Sequence, residues 1–266
     1  MEHPADPLAI GVPVSDSAHL VLAPNPGPMT LDGTNSYVLR APGSTGTVVV
    51  DPGPLLESHL RALAAAGPVE LVLLTHHHLD HTAGAAAFAE LTGAPVRAIG
   101  PELCIGADPL VDGERIEAAG LTLEIWATPG HTADSMCVVL PDDGAHGSVL
   151  TGDTVLGRGT SIIVDPDGAL GPYLASLERL RAFGERGEVP VLPGHGPVLP
   201  DLRAICEAYL AHRAERLDQV RAALAELGTD ASPEAVTDLV YADVDTSVRA
   251  AAEASVRAQL TYLRAE

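Results

Sequence analysis

The chain has 266 residues, a formal net charge of −21 and a pI of about 4.7, so nucleic acid and other polyanions are repelled by its mean field except at a local basic groove. It contains no lysine; all 15 basic residues are arginine, which excludes Schiff-base chemistry by a lysine amine. Its three cysteines, Cys104, Cys137 and Cys206, are too few and too scattered for a disulfide framework or a thiolate metal cage, and they read as buried free thiols.

Residues 1–36 are rich in Pro, Gly, Asp and Asn, and Leu20–Ala23 reads as an edge strand among turns. The start carries no basic segment followed by a long apolar run, and no apolar stretch approaches membrane-spanning length. A cytoplasmic protein with no membrane partner is expected. Ser36–Arg40 and Thr47–Val50 form a hairpin signal around Pro42, Gly43 and Gly46. Leu55–Ala66 has helical spacing, with Leu56, Leu60 and Leu63 on one face. Val69–Leu74 reads as a buried strand, Ala83–Leu91 as a helix and Val96–Ile99 as a strand. Leu121–Ala127, Met136–Leu140, Ser148–Leu150 and Val189–Leu192 are further strands, with a helix over Tyr173–Phe183. After Pro200 the pattern becomes helical. Leu202–Leu227 is a long amphipathic helix stopped by Gly228. Ser232, Pro233 and Glu234 start a second helix, and Asp245 or Thr246 caps a third that runs to about Leu263. A domain boundary is placed near residue 200, dividing 1–200 from 201–266.

Four of the strand signals end in the same way: an apolar run, a turn, then a metal-ligating residue type. The four are THHHLDH (75–81), PGH (129–131), TGD (151–153) and PGHG (193–196). Four imidazoles and a carboxylate within six positions are not needed by any ordinary core. Ligands at strand ends let a stiff sheet gather side chains from distant positions around one point, and neighbouring glycines suit loops with little room. Neutral imidazole and carboxylate suit Zn²⁺, and iron or manganese could use the same donors. Seven donors exceed the coordination of one zinc but fit two metals sharing a carboxylate.

These motifs resemble the metallo-β-lactamase superfamily. The HxHxDH signature is present as His76, His78, Asp80 and His81, and the later His131, Asp153 and His195 follow in the family's order. The resemblance covers roughly residues 18–200. It implies a four-layer αββα sandwich with two Zn²⁺ per chain: His76, His78 and His131 on the first metal, Asp80, His81 and His195 on the second, Asp153 bridging. Zinc lowers the pKa of bound water from about 15.7 to about 7, so a metal-bridging hydroxide becomes the nucleophile, and Asp80 can orient it as well as ligate. The stretches 25–39, 151–160, 193–199 and 208–220 are similar to the branch named beta-lactamase-like protein two, whose members add a winged-helix-like tail. The segment 201–266 matches such a tail, with no room for a wing after the third helix. The branch often has His where Ser135 stands here.

The resemblance implies a hydrolase, and the substrate follows from charge. The 201–266 segment is itself net negative despite seven arginines, and aromatics are only 3%, which offers few stacking platforms for single strands. A small-molecule ester, thioester or lactone is expected. Single-stranded RNA is the alternative, and an iron-dependent oxygenase of the same fold is a second. His77 reads as a spacer, and His3, His19, His59, His146 and His212 as surface or packing residues. Asp51 reads either as a turn former or as an acceptor for a ligand histidine. Arg158 reads as a solvent-exposed side chain and Tyr173 as packing.

Overall fold

The computed structural model describes residues 11–242 and 249–265. His3 and the expected caps Asp245 and Thr246 lie outside the described residues. The first sheet is six-stranded, in the order β1 (Val12–Pro13), β2 (Ala18–Leu22), β3 (Asn35–Leu39), β4 (Thr47–Val50), β5 (Val69–Leu73) and β6 (Val96–Arg97). The β4–β5 and β5–β6 pairs are parallel and the others antiparallel. The second is five-stranded, in the spatial order β11 (Val191–Pro193), β10 (Ser148–Gly152), β9 (Met136–Leu140), β8 (Leu121–Ala127) and β7 (Arg115–Ala118), with only β10–β11 parallel.

The sheets stack face to face. Tyr37, Leu39, Val48, Val50, Leu71 and Leu73 of the first meet Leu123, Ile125, Met136, Val138, Leu140, Leu150 and Leu192 of the second in one buried cluster. Alternate residues of the same strands point outward into two further clusters. Val38, Val49 and Val72 are covered by α1 (Glu57–Ala64) and α3 (Ala85–Thr92) through Leu60, Leu63 and Phe88. Cys137, Val139, Val149 and Val191 are covered by α4 (Leu170–Phe183) and α5 (Leu202–Leu227). This is the αββα sandwich. It explains why β3, β4, β9 and β10 are buried at every residue: a strand covered on both faces has no wet side.

The first two C-terminal helices follow the expected starts. Asp201 caps α5 by accepting from the Ala204 amide at 3.1 Å, and Ser232 caps α6 (Pro233–Val240) by accepting from Ala235 at 3.3 Å. Val220 and Ala223 of α5, Val236 of α6, and Val256 and Leu260 of α7 (Arg249–Leu263) form a small separate cluster. Among the described residues, 201–265 carry no strand, and no helix of the chain is long and apolar enough to cross a membrane.

Three elements differ from the sequence expectation. Strand β7 has no sequence signal, because Ile116 and Ala118 alternate with charges over only four residues; its pairing with β8 creates it. The helix α4 begins at Leu170, three residues early. Within the histidine cluster itself, Leu79–Thr82 closes one helical turn, α2.

Candidate metal centre

Both sheets send their strand ends to the same edge. The segment after β5 carries His76 to His81, the turn after β8 carries His131, Asp153 follows β10, and His195 follows β11. Cross-sheet bonds fix this convergence: the Met136 amide donates to the Thr75 carbonyl at 2.8 Å, and the Asn35 amide donates to the Gly194 carbonyl at 2.8 Å. The Asn35 side chain also donates to the carbonyls of Pro193 and Gly196. Two glycines are required by space. A Cβ on Gly152 (φ +48°) would stand 2.7 Å from Thr75, and one on Gly194 would stand 2.5 Å from Asp153 Oδ1 and 2.8 Å from the His81 ring.

All seven expected ligands meet there, in two groups. Potential donor atoms of His76, His78, His131 and Asp153 lie within 4.8 Å of one another, and so do those of Asp80, His81 and His195. His78 Nδ1 stands 3.0 Å from His76 Nε2 and 3.1 Å from His131 Nε2. In the second group His81 Nε2 and His195 Nε2 are 3.2 Å apart, and Asp80 Oδ2 is 3.4 Å and 3.1 Å from them. The Asp153 carboxylate faces both groups, with Oδ2 at 3.7 Å from His131 Nε2 and 3.5 Å from His195 Nε2, and Oδ1 at 3.5 Å from His81 Nε2.

Each of four rings commits its other nitrogen outward. His131 Nδ1 donates to the Ile162 carbonyl at 2.8 Å and His195 Nδ1 to the Gly33 carbonyl at 3.0 Å. His81 Nδ1 donates to Asp51 Oδ2 at 2.8 Å. The Thr75 hydroxyl donates to Asp51 Oδ2 at 2.7 Å, so it accepts from His76 Nδ1 at 3.1 Å. Because carbonyls and carboxylates only accept, these bonds place the proton on Nδ1 and leave each neutral ring with an Nε2 lone pair turned inward. With the rings neutral, the inward Nε2 atoms and the buried Asp153 Oδ1, which has no hydrogen-bond partner, form the donor set of a divalent metal.

In the metal-free protein a proton takes the cation's place on His81: burial opposes it, but Asp153, Asp51 and Asp80 raise it well above its ordinary value. Burial would raise the carboxyls of Asp80 and Asp153, but the imidazoles of His81 and His195 outweigh it and hold both well below the usual range, so both are carboxylates. Burial and the neighbouring rings push His76 well below its ordinary value. Burial opposes protonation of His195 too, but Asp153 and Asp80 raise it to about 9 in the metal-free protein.

Asp51 fills both of its expected roles: it ends β4 in the left-handed region (φ +51°), and it orients His81. Arg158 is exposed and pairs with Asp32 at 3.4 Å, and Tyr173 is fully buried. His77 is more than a spacer in this geometry. Its Nδ1 lies 2.8 Å from Asp134 Oδ1, which also accepts from the Thr132 hydroxyl, and its Nε2 is 3.5 Å from Asp167. Thr75 heads the first motif without revealing a role for its hydroxyl, and the Gly33 and Ile162 carbonyls stay unseen because backbone acceptors leave no mark on a sequence.

Comparison with known proteins agrees with the fold. The metallo-beta-lactamase superfamily model matches residues 29–195, and the chain belongs to that superfamily. Its relatives include the lactamase-like protein vrtG of Penicillium aethiopicum, 36% identical over 78% of this chain and 66% of that one. The beta-lactamase-like protein 2 homolog of Caenorhabditis elegans is 31% identical over 94% of this chain and 85% of that one. An atrochrysone carboxyl ACP thioesterase of Aspergillus fumigatus is 36% identical over 77% and 64%. The chain thus spans about two thirds of the fungal proteins' length. Among solved structures, a metallo-beta-lactamase family protein of Thermus thermophilus superposes with a TM-score of 0.75 over 94% of this chain and 93% of that one, at 24% identity. A protein solved in a di-iron-bound form gives 0.55 over 69% and 94%, at 28% identity.

Proposed function

We propose that the chain is a binuclear zinc hydrolase that cleaves an ester, thioester or lactone of a small molecule. His76, His78 and His131 hold one cation, Asp80, His81 and His195 hold the other, and Asp153 is shared. The observation that carries this reading is the inward turning of the rings: the outward nitrogens of His76, His81, His131 and His195 are all engaged, and the facing atoms form two groups around one buried carboxylate. When bound, such a metal pair supplies an activated water at neutral pH and polarises the substrate carbonyl.

The chain's own residues then do the positioning. Asp80 is the more solvent-facing of the two site carboxylates, with 28% of its side chain exposed against 10% for Asp153. Held ionised beside His81 and His195, it would accept a hydrogen bond from the attacking water and so orient it. Asp153 is closed off from solvent and serves as a shared donor. The all-nitrogen-and-oxygen donor set supports zinc, and the di-iron form of the structural relative supports iron as the competing metal. The thioesterase name of the Aspergillus relative and the net charge of −21 support a small acyl substrate over RNA. The segment from residue 201 is read as an accessory helical unit that borders the substrate.

The test is a hydrolysis panel on zinc-loaded and iron-loaded protein. It compares acyl-thioesters, lactones, phosphodiesters and single-stranded RNA, with Asp80→Asn alongside. Turnover of a thioester or lactone that disappears in the variant is expected. Turnover of RNA alone, or activity unchanged in the variant, overturns the reading.

A further inference from the structure

A cavity of about 240 Å³ lies between the loop 160–162 and the C-terminal helices. Three basic side chains of α5, His212, Arg213 and Arg216, line it, and no carboxylate does among the described residues. In a chain with a net charge of −21 this is an unusual concentration of one sign. His212 adds a neutral imidazole to the two guanidiniums: burial first, and then Arg213 and Arg216, lower its pKa against a smaller opposing pull from Glu215.

The basic groups are held in place. Arg213 is buried, with its guanidinium over the Tyr173 ring and bonded through Nη2 to the Ser161 carbonyl. Its Nε is buried with no hydrogen-bond partner. Arg216 lies over the Tyr241 ring, 4.9 Å from its centroid, and is half-buried. A fixed guanidinium flanked by a half-buried second guanidinium and a half-buried imidazole has the charge and the N–H donors that an oxyanion takes.

The cavity also adjoins the metal centre. Ile162 lines it and accepts the bond from His131 Nδ1, while the Ser161 hydroxyl donates to the Asp153 carbonyl at 2.6 Å. The same short loop therefore separates the two sites and bonds to both.

We propose that this cavity is a phosphate subsite, and that the hydrolysed small molecule is a thioester whose far end is a phosphate monoester seated among His212, Arg213 and Arg216. A cavity of this size takes one phosphate group and offers no track for a polynucleotide backbone. The thioester part of the proposal rests on the hydrolase reading above; the binding of the phosphate does not.

The test is calorimetric titration of the metal-loaded full chain with two uncleavable thioethers, S-ethyl-4′-phosphopantetheine and S-ethylpantetheine. The phosphorylated analogue is expected to bind roughly tenfold more tightly. Arg216→Gln and His212→Gln should each reduce that preference to about two- to threefold. Arg61→Gln, which removes the same charge from exposed α1, should leave it intact. Arg213 is left unchanged because it also supports the loop. Equal binding of the two analogues by the parent chain, or an undiminished preference in both variants, overturns the proposal. Tighter competition by single-stranded RNA than by the phosphorylated analogue overturns the substrate assignment. If the preference is present but the matching thioesters are not cleaved, the hydrolase reading fails and the subsite stands.

Discussion

Asp51 and His81 are 30 positions apart and meet at 2.8 Å, carboxylate oxygen to Nδ1, with Asp51 only 2% exposed. The same carboxylate takes the Thr75 amide at 2.8 Å and the Thr75 hydroxyl at 2.7 Å. One side chain thus sets the tautomer of His81 directly and that of His76 through Thr75. Asp51→Asn tolerates the left-handed backbone and keeps the shape, but it removes the charge and one of the two acceptor oxygens that set these tautomers. We expect about 10- to 100-fold weaker metal binding with the fold retained, read by competition with a chromophoric chelator. Asp51→Ala should in addition lose about 1–3 kcal/mol of stability, because the buried Thr75 amide is left unpaired.

Metal content is the most direct check on the ligand set. Two divalent cations per chain are expected after purification without chelators, and His76→Ala or Asp153→Ala should each abolish hydrolysis. Stripping the cations should lower the melting temperature by about 10 °C when they had been present at a thousandfold excess over Kd. Binding should also release protons. His195, raised to about 9 when metal-free, must lose a proton to ligate, so affinity should fall as pH drops below about 9. Binding that is independent of pH between about 6 and about 9 would contradict this assignment.

Gly194 provides a test that replaces no ligand. An added methyl would collide with Asp153 Oδ1 and the His81 ring. Gly194→Ala should therefore weaken metal binding by roughly tenfold or more. Its backbone bonds, from the Asn35 amide and to the Gly152 carbonyl, both at 2.8 Å, should survive. A far-ultraviolet circular dichroism spectrum like that of the parent, with reduced metal content, is the expected pair of results.

His59 predicts an acid-side loss of stability. It is buried, pairs with the Ser36 hydroxyl at 2.9 Å, and burial lowers its pKa to about 4. Between about 6.5 and 4 the unfolded chain takes up a proton there and the folded chain does not, so stability falls as pH falls across that window. The full effect is roughly 3 kcal/mol. His59→Gln keeps a partner for Ser36 and removes the titration. Denaturant midpoints at pH 7 and pH 4.5, about the limits of the window, should converge in the variant relative to the parent.

The seven donors were legible because each sits in side-chain chemistry that a core does not need, at a strand end marked by Gly, Pro or Thr. The C-terminal helices were legible from the amphipathic spacing of 202–227, Gly228 and Ser232, whereas the Asp201 cap emerged only in the structure. The groups that aim the rings were not: Gly33 and Ile162 act through carbonyls that every residue possesses. Asp134 and Asp167 look like surface acids until the fold brings them to His77. Strand β7 exists through its neighbour rather than its own residues.

The origin of the ligands has a mechanical consequence. His76, His78, Asp80 and His81 hang from the first sheet, and His131, Asp153 and His195 from the second. A cation held by both sets is a clasp across the seam of the sandwich, closing chain loops of many tens of residues much as a crosslink does. Without it, the sheets can part first at that edge. Amide exchange in the metal-free protein should then be fastest at Met136 and Asn35, whose amides stitch the two halves together, while the far edges of both sheets stay protected.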